Sequence, residues 1–142
     1  TYLGLGNLAT AEELALEATA ALEALGDRRK LAHVLDTRAQ IALGLGRTAD
    51  ALALSTTAIG EAEATGNTKA LVDALSTRAR ALAARRATKA ASSDFARAAD
   101  LARQQISRAR RTEVLRAWGE MLAAAGEHQA AYGLLQQALA PS

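Results

Sequence analysis

A spacing of 40 residues runs through this chain, and it limits the fold more than any single motif does. Leu3-Gly4-Leu5-Gly6 recurs as Leu43-Gly44-Leu45-Gly46, Gly26-Asp27 as Gly66-Asn67, and Thr37-Arg38-Ala39 as Thr77-Arg78-Ala79. The same register aligns Leu35 and Leu75 with Leu115, and Gly6 and Gly46 with Gly126. It also completes two unbroken columns, Ala11, Ala51, Ala91, Ala131 and Ala18, Ala58, Ala98, Ala138. A fixed period of this length means one supersecondary unit repeated, each copy burying its apolar face against its neighbours.

Composition decides what that unit is made of. Of 71 apolar residues, 38 are Ala and 22 Leu, whereas Val and Ile together number six. The best helix formers dominate and strand formers are too few for a sheet, so the expected fold class is all-α. Within a unit, Leu31, Val34, Leu35, Ile41, Ala42 and Leu45 follow a period near 3.6, with Asp27 placed to cap the start and Gly46 to stop the helix. A second helix follows, with Ala51, Leu52, Leu54, Ala58, Ile59 and Ala62 on its buried side and Gly66 as a left-handed stop. Seven antiparallel helices are predicted, over 8–25, 28–45, 48–64, 68–85, 89–105, 109–125 and 128–139. They form three and a half units in one domain covering 1–142: a partial 1–26, then 27–66, 67–106 and 107–142. Residues 1–5 read as the last turn of a leading helix, stopped at Gly4-Leu5-Gly6, and with Thr1 first this reads as a fragment of a longer protein. The third unit breaks the pattern, because Arg86 stands in the column of Gly46 and Gly126, and Ile106-Ser107 replaces Gly-Asp. A non-Gly residue at a left-handed stop is strained, so an irregular turn over 86–94 is expected, with Ser92-Ser93-Asp94 as alternative caps.

Several function classes are excluded or disfavoured. There is no Cys, so no disulfide framework or thiolate metal site, and His33 and His128 stand alone. No cofactor is expected, and a reducing, cytoplasmic setting fits. No apolar run approaches the roughly 20 residues of a membrane span, and no export signal opens the chain. No catalytic set or phosphate loop recurs. Leu3-Gly-Leu-Gly-Asn-Leu lacks the third Gly and preceding strand of a dinucleotide fingerprint. The chain is therefore read as non-enzymatic.

The columns resemble the tetratricopeptide repeat (TPR), whose pattern places large, small and large residues on the first helix and Ala-x3-Phe with a later Ala on the second. First helices carry Leu35, Arg38, Ala39 and Ala42, then Leu75, Arg78, Ala79 and Leu82, then Leu115, Trp118, Gly119 and Leu122. On second helices the pattern is met by Ala91, Phe95 and Ala98 and by Ala131, Leu135 and Ala138, with Ser55 and Ala15 at the Phe position elsewhere. The unit is longer than the usual TPR and lacks its closing Pro. HEAT-type repeats share the period, but the paired Ala columns favour a TPR-like α-α superhelix. Such 40-residue units resemble the sensor regions of bacterial transcriptional regulators and signalling ATPases. The resemblance implies a protein- or peptide-binding scaffold whose concave face is lined by first helices. Position by position, that lining would be His33, Asp36, Gln40, Asp73, Ser76, Arg80, Glu113, Arg116 and Glu120.

Two further features need placing. Arg38 and Arg78 occupy an expected apolar position, either as an anion contact or, preferably, in structural ion pairs with stems packed on Leu. Residues 1–73 hold 10 acids and 6 bases, whereas 74–142 hold 5 acids and 11 bases, all of the latter between Arg78 and Arg116. Arg103, Arg108, Arg110, Arg111 and Arg116 could contact phosphates, but no aromatic residue is interleaved for base stacking, so a solvated face is preferred and nucleic acid is a disfavoured partner. The alternative role is self-association as a homodimer, since an open repeat stack exposes helix faces at both ends.

Overall fold

The computed structural model describes residues 2–105 and 107–139, and seven helices account for almost all of them. They are α1 (Tyr2–Leu25), α2 (Arg28–Gly44), α3 (Thr48–Thr65), α4 (Thr68–Ala84), α5 (Thr88–Gln105), α6 (Arg108–Ala124) and α7 (His128–Leu139). Those from α2 onward fall within a residue or so of the expected bounds. Each helix packs on the next in the chain. In addition α2 touches α4 and α4 touches α6, whereas among the described residues no close backbone approach joins α3 to α5 or α5 to α7. First helices therefore converge and second helices splay apart, which curves the stack into an all-α TPR-like superhelix with α2, α4 and α6 on its inner side.

Local chemistry sets the element ends. Asp27, Asn67 and Ser107 stand 40 residues apart, and each side chain accepts the backbone N–H of the residue three further on, at 3.1, 3.2 and 3.1 Å. This satisfies a donor that the first turn would leave orphaned. At the other ends, Arg47 N donates to Ala42 O at 2.8 Å and Gly46 N to Leu43 O at 3.0 Å, the paired bonds of a Schellman motif. Gly46 and Gly126 take the left-handed conformation this requires, at φ +78° and +87°.

The expected irregularity over 86–94 does not occur. Arg86 adopts φ +61°, Ala87 N donates to Leu82 O and Arg86 N to Ala83 O, both at 2.9 Å, and α5 begins at Thr88 as its counterparts do. Ser92, Ser93 and Asp94 lie inside α5 and cap nothing. The tertiary arrangement holds Arg86 in a conformation that disfavours a Cβ, because lengthening the turn would pull α5 out of register with α4. Ile106 lies outside the described residues.

A second expectation also fails. The Leu-Gly-Leu-Gly segment at 3–6 is not a stop, since α1 runs unbroken through Gly4 and Gly6. A Gly in a helix interior costs about 1 kcal/mol relative to Ala, which flanking helix formers can absorb. At 43–46 the same residues turn, because α3 folds back there to bury its own apolar side.

The core explains the Ala columns. Ala51, Ala58, Ala91 and Ala98 are completely buried, as are Ala39 and Ala79 on the facing first helices. Phe95 is the largest fully buried side chain, and Ser55 fills its place one unit earlier, its hydroxyl donating to Ala51 O at 2.7 Å. A Cβ added at Gly119 would lie 3.1 Å from Leu135, so the last unit accommodates Leu135 with Gly where the two preceding units carry Ala39 and Ala79. Small residues at these points let the axes approach closely.

Replacing Ala51 or Ala58 with Leu should lower stability by about 1–3 kcal/mol through overpacking, read from chemical denaturation, and unchanged midpoints for both would refute the close-contact assignment. Arg86→Gly should have the opposite effect. Relief of the left-handed strain is expected to raise stability by about 1 kcal/mol, and a lower midpoint would contradict it.

Candidate binding groove

The inner faces of α4 and α6 do not close completely, and the space between them forms two adjoining cavities. The first, about 310 Å³, is lined by Gln40, Asp73, Ser76, Thr77, Arg80, Arg110, Glu113, Val114 and Ala117. Arg80 and Ala117 continue into the second, about 710 Å³, whose other walls are Ala83, Ala84, Arg86, Thr88, Glu120, Met121, Ala124 and Ala125. One groove thus runs toward the C-terminal ends of α4 and α6, mixed in charge at its start and with an apolar floor further along.

Six of the nine residues expected on the concave face line this groove: Gln40, Asp73, Ser76, Arg80, Glu113 and Glu120. His33 is exposed nearby on α2 and acts on Asp36 and Asp73 through its charge, whereas Arg116 is exposed without being one of the lining residues. Asp36 is only 2% exposed and lies beneath the surface. Its Oδ2 accepts from Gln40 Nε2 at 2.9 Å, while Oδ1 is buried without a partner. Burial raises the Asp36 pKa, opposed by the nearby Thr77 hydroxyl, by the hydrogen bond from Gln40 and by the charges of Arg80 and His33. Asp73 is raised as well, first by burial and then by the neighbouring Asp36 carboxylate, against the pull of Arg110.

Arg110 was grouped by sequence with the basic stretch of α6, yet it turns inward. Its Nη1 lies 2.9 Å from Asp73 Oδ1 and 3.6 Å from Glu113 Oε2, bridging the two first helices. Its place three residues before Glu113, on the same helix face, was the available signal. Thr77 was also missed. Its hydroxyl donates to Asp73 O at 3.0 Å, the back-bond common for Thr in helices.

Arg38 and Arg78 are not brought together. Arg78 makes a two-pronged pair with Asp94 on α5, Nε to Oδ2 at 2.7 Å and Nη2 to Oδ1 at 2.9 Å, with Asp94 only 7% exposed. The Asp94 hydrogen bond, more than its charge, holds the Arg78 guanidinium firmly protonated. Sixteen residues after Arg38 stands Leu54 rather than an acid. Arg38 instead lines a separate cavity of about 340 Å³ with Glu12, Ala42, Asp50, Ala53 and Leu54. Trp118 fills the corresponding position in the last unit, and its Nε1 donates to Ser92 Oγ at 3.1 Å.

The helix order, the inner first helices and the small-residue contacts define a TPR-like repeat fold. Solved structures agree. BtubC (BKLC) from P. vanneervenii superposes with a TM-score of 0.79 at 17% identity, over 94% of this chain and 56% of that one. TPR-like repeats of a putative kinesin light chain from Podosopora anserina superpose with a TM-score of 0.74, also at 17% identity, over 96% of this chain and 68% of that one. The chain therefore spans little more than half of the first and about two thirds of the second. No family model and no curated protein matches the sequence.

The raised pKa of Asp36 has a definite sign. The native state holds the Asp36 proton more tightly than the unfolded chain does, so its contribution to stability is full in acid and is lost as pH rises through the raised value. Asp36→Asn keeps an acceptor for Gln40 and should melt at or above the wild-type temperature at neutral pH, the advantage vanishing in acid. A variant less stable at neutral pH than in acid, relative to wild type, would contradict a strained carboxylate.

Proposed function

We infer that this chain is a non-catalytic interaction module that holds a peptide or protein segment in the groove between α4 and α6. The observation that carries this is the groove itself: six polar residues recurring on one face of successive first helices line one cleft, Gln40, Asp73, Ser76 and Glu113 at its start beside Val114 and Ala117, and Arg80 and Glu120 further along over Ala83, Ala117 and Met121. Apolar floor with polar walls is the usual make-up of a site that anchors side chains and fixes their orientation. The residues expected on the concave face, His33, Asp36, Gln40, Asp73, Ser76, Arg80, Glu113, Arg116 and Glu120, are proposed as its recognition surface, with Asp36 acting from beneath and Arg110 and Arg86 added to it. The 40-residue units are proposed to be one domain of a longer protein, a bacterial transcriptional regulator or signalling protein, in which this module senses and another part responds. Among the described residues no helix is long and apolar enough to cross a membrane, and no cluster of His, Asp and Glu could hold a metal ion.

A second reading rests on the ends of the stack. Leu14 and Leu25 on α1 are 62% and 79% exposed, and Tyr132 and Leu139 on α7 are 65% and 76% exposed. Ala11, Ala15 and Ala18 are only half-buried, although their counterparts on α3 are completely covered. Such faces favour pairing with a further helix, from the same polypeptide or from a second copy.

The first reading is tested by selecting peptides on the wild-type chain and measuring their affinity for Ala84→Trp and Ala124→Trp. Both sites are exposed, so the fold should survive a ring that fills the groove. Losses of about tenfold or more are expected, and selected peptides indifferent to both changes would overturn the assignment.

A further inference from the structure

Arg86 is the odd residue of its column, and its cost and its position point the same way. Glycine occupies the left-handed turn position after α2 and after α6, whereas after α4 an arginine is held at φ +61° with its Cβ. Strain kept where a tolerant residue would serve is a reason to ask what the side chain does. The Arg86 side chain lines the apolar part of the groove, facing a space shared with Arg80 and Glu120.

The two arginines differ from five others in the chain, although Arg38, Arg85, Arg103, Arg111 and Arg116 likewise make no ion pair among the described residues, and what sets Arg80 and Arg86 apart is that they line the groove. Arg28, Arg47, Arg78, Arg97 and Arg110 are paired with Glu61, Glu12, Asp94, Glu63 and Asp73, each at 2.9 Å or less. Neither Arg80 nor Arg86 forms an ion pair or a side-chain hydrogen bond among the described residues. Earlier in the groove, Arg110 is shared between Asp73 and Glu113, so that guanidinium is already engaged and an acid is left in excess there. The far end is left with two guanidiniums outside any ion pair, Arg80 reaching the buried Asp36 only through its charge, against the one lining carboxylate of Glu120 and over a floor of Ala83, Ala117 and Met121.

Resting on the interaction-module reading, we propose that the groove takes an acidic segment of a protein partner. Its carboxylates engage Arg80 and Arg86 while an apolar side chain between them sits on Ala117 and Met121. Arg86 is the specificity-determining residue, set in place by its left-handed turn. Guanidinium and carboxylate match in geometry as well as charge, and two such pairs side by side fix the register of the segment. A bundled basic surface for nucleic acid does not account for this, since Arg110 is turned inward to Asp73 and the apolar floor offers phosphates nothing.

The test uses the whole chain and three labelled short peptides that share Leu and Ala positions and differ only in carrying Glu, Gln or Lys elsewhere. Fluorescence anisotropy should show the Glu peptide binding at least about tenfold tighter than the Gln peptide, with the Lys peptide weakest. Arg86→Gly should weaken the Glu peptide about fivefold or more without lowering the melting temperature, which separates lost recognition from lost folding. Arg103→Gln, at an exposed position on α5 away from the groove, should leave affinity unchanged. Equal binding of the Glu and Gln peptides, or indifference to Arg86→Gly, overturns the proposal. So does a single-stranded oligonucleotide that displaces the Glu peptide and loses affinity with Arg103→Gln. If the Gln or Lys peptide binds best and Ala84→Trp abolishes it, acidic specificity fails while the interaction-module reading survives. If peptides selected without bias ignore Ala84→Trp and Ala124→Trp, that reading fails as well.

Discussion

Everything else in this molecule depends on helices being allowed to approach at points where neither carries a bulky side chain. Ala39, Ala51, Ala58, Ala79, Ala91 and Ala98 are fully buried at successive contacts, and Gly119 takes the same role where Leu135 needs room. Each small residue contributes little apolar area alone. Repeated at one spacing, these residues let first helices touch while second helices diverge, and that difference produces the curvature. The inner face, and hence the groove, follows from the packing rather than from any residue that lines it.

The groove is also where the chain departs from its own regularity. Arg86 replaces glycine at a left-handed position, and the buried Asp36 keeps an unpartnered oxygen. Both features cost stability, and both lie on or beneath the inner face. Elsewhere the first helices start on capping side chains and the helices end in Schellman turns on glycine. Departures concentrated on one surface are what a recognition site built into a repetitive scaffold would leave behind.

How much could be read from sequence follows the same division. The cap at Asp27 and the stop at Gly46 act over a few residues, so spacing reveals them, whereas Ser107, read as a break in the Gly-Asp column, caps α6 as Asp27 caps α2. The Ala columns recur at a fixed offset and show through the compositional bias. Arg86 misled because local preference disfavours a left-handed arginine, whereas packing of α5 on α4 imposes it. Gly4 and Gly6 misled in the reverse sense, since glycine permits a turn without requiring one. Arg110 and Asp94 escaped notice as partners because Asp73 lies 37 residues from the first and Arg78 16 from the second, across interfaces that only the folded stack creates. For the same reason six of the nine inner-face residues, though identified by column, could not be seen to share one groove.

Recognition is proposed to belong to the inner face at α4 and α6 and not to the splayed second helices. Amide chemical-shift mapping with a peptide selected on the intact chain tests it most directly. Perturbations are expected to cluster at 73–88 and 110–125. Perturbations centred on the outer faces of α3, α5 and α7, with those two segments silent, would contradict it.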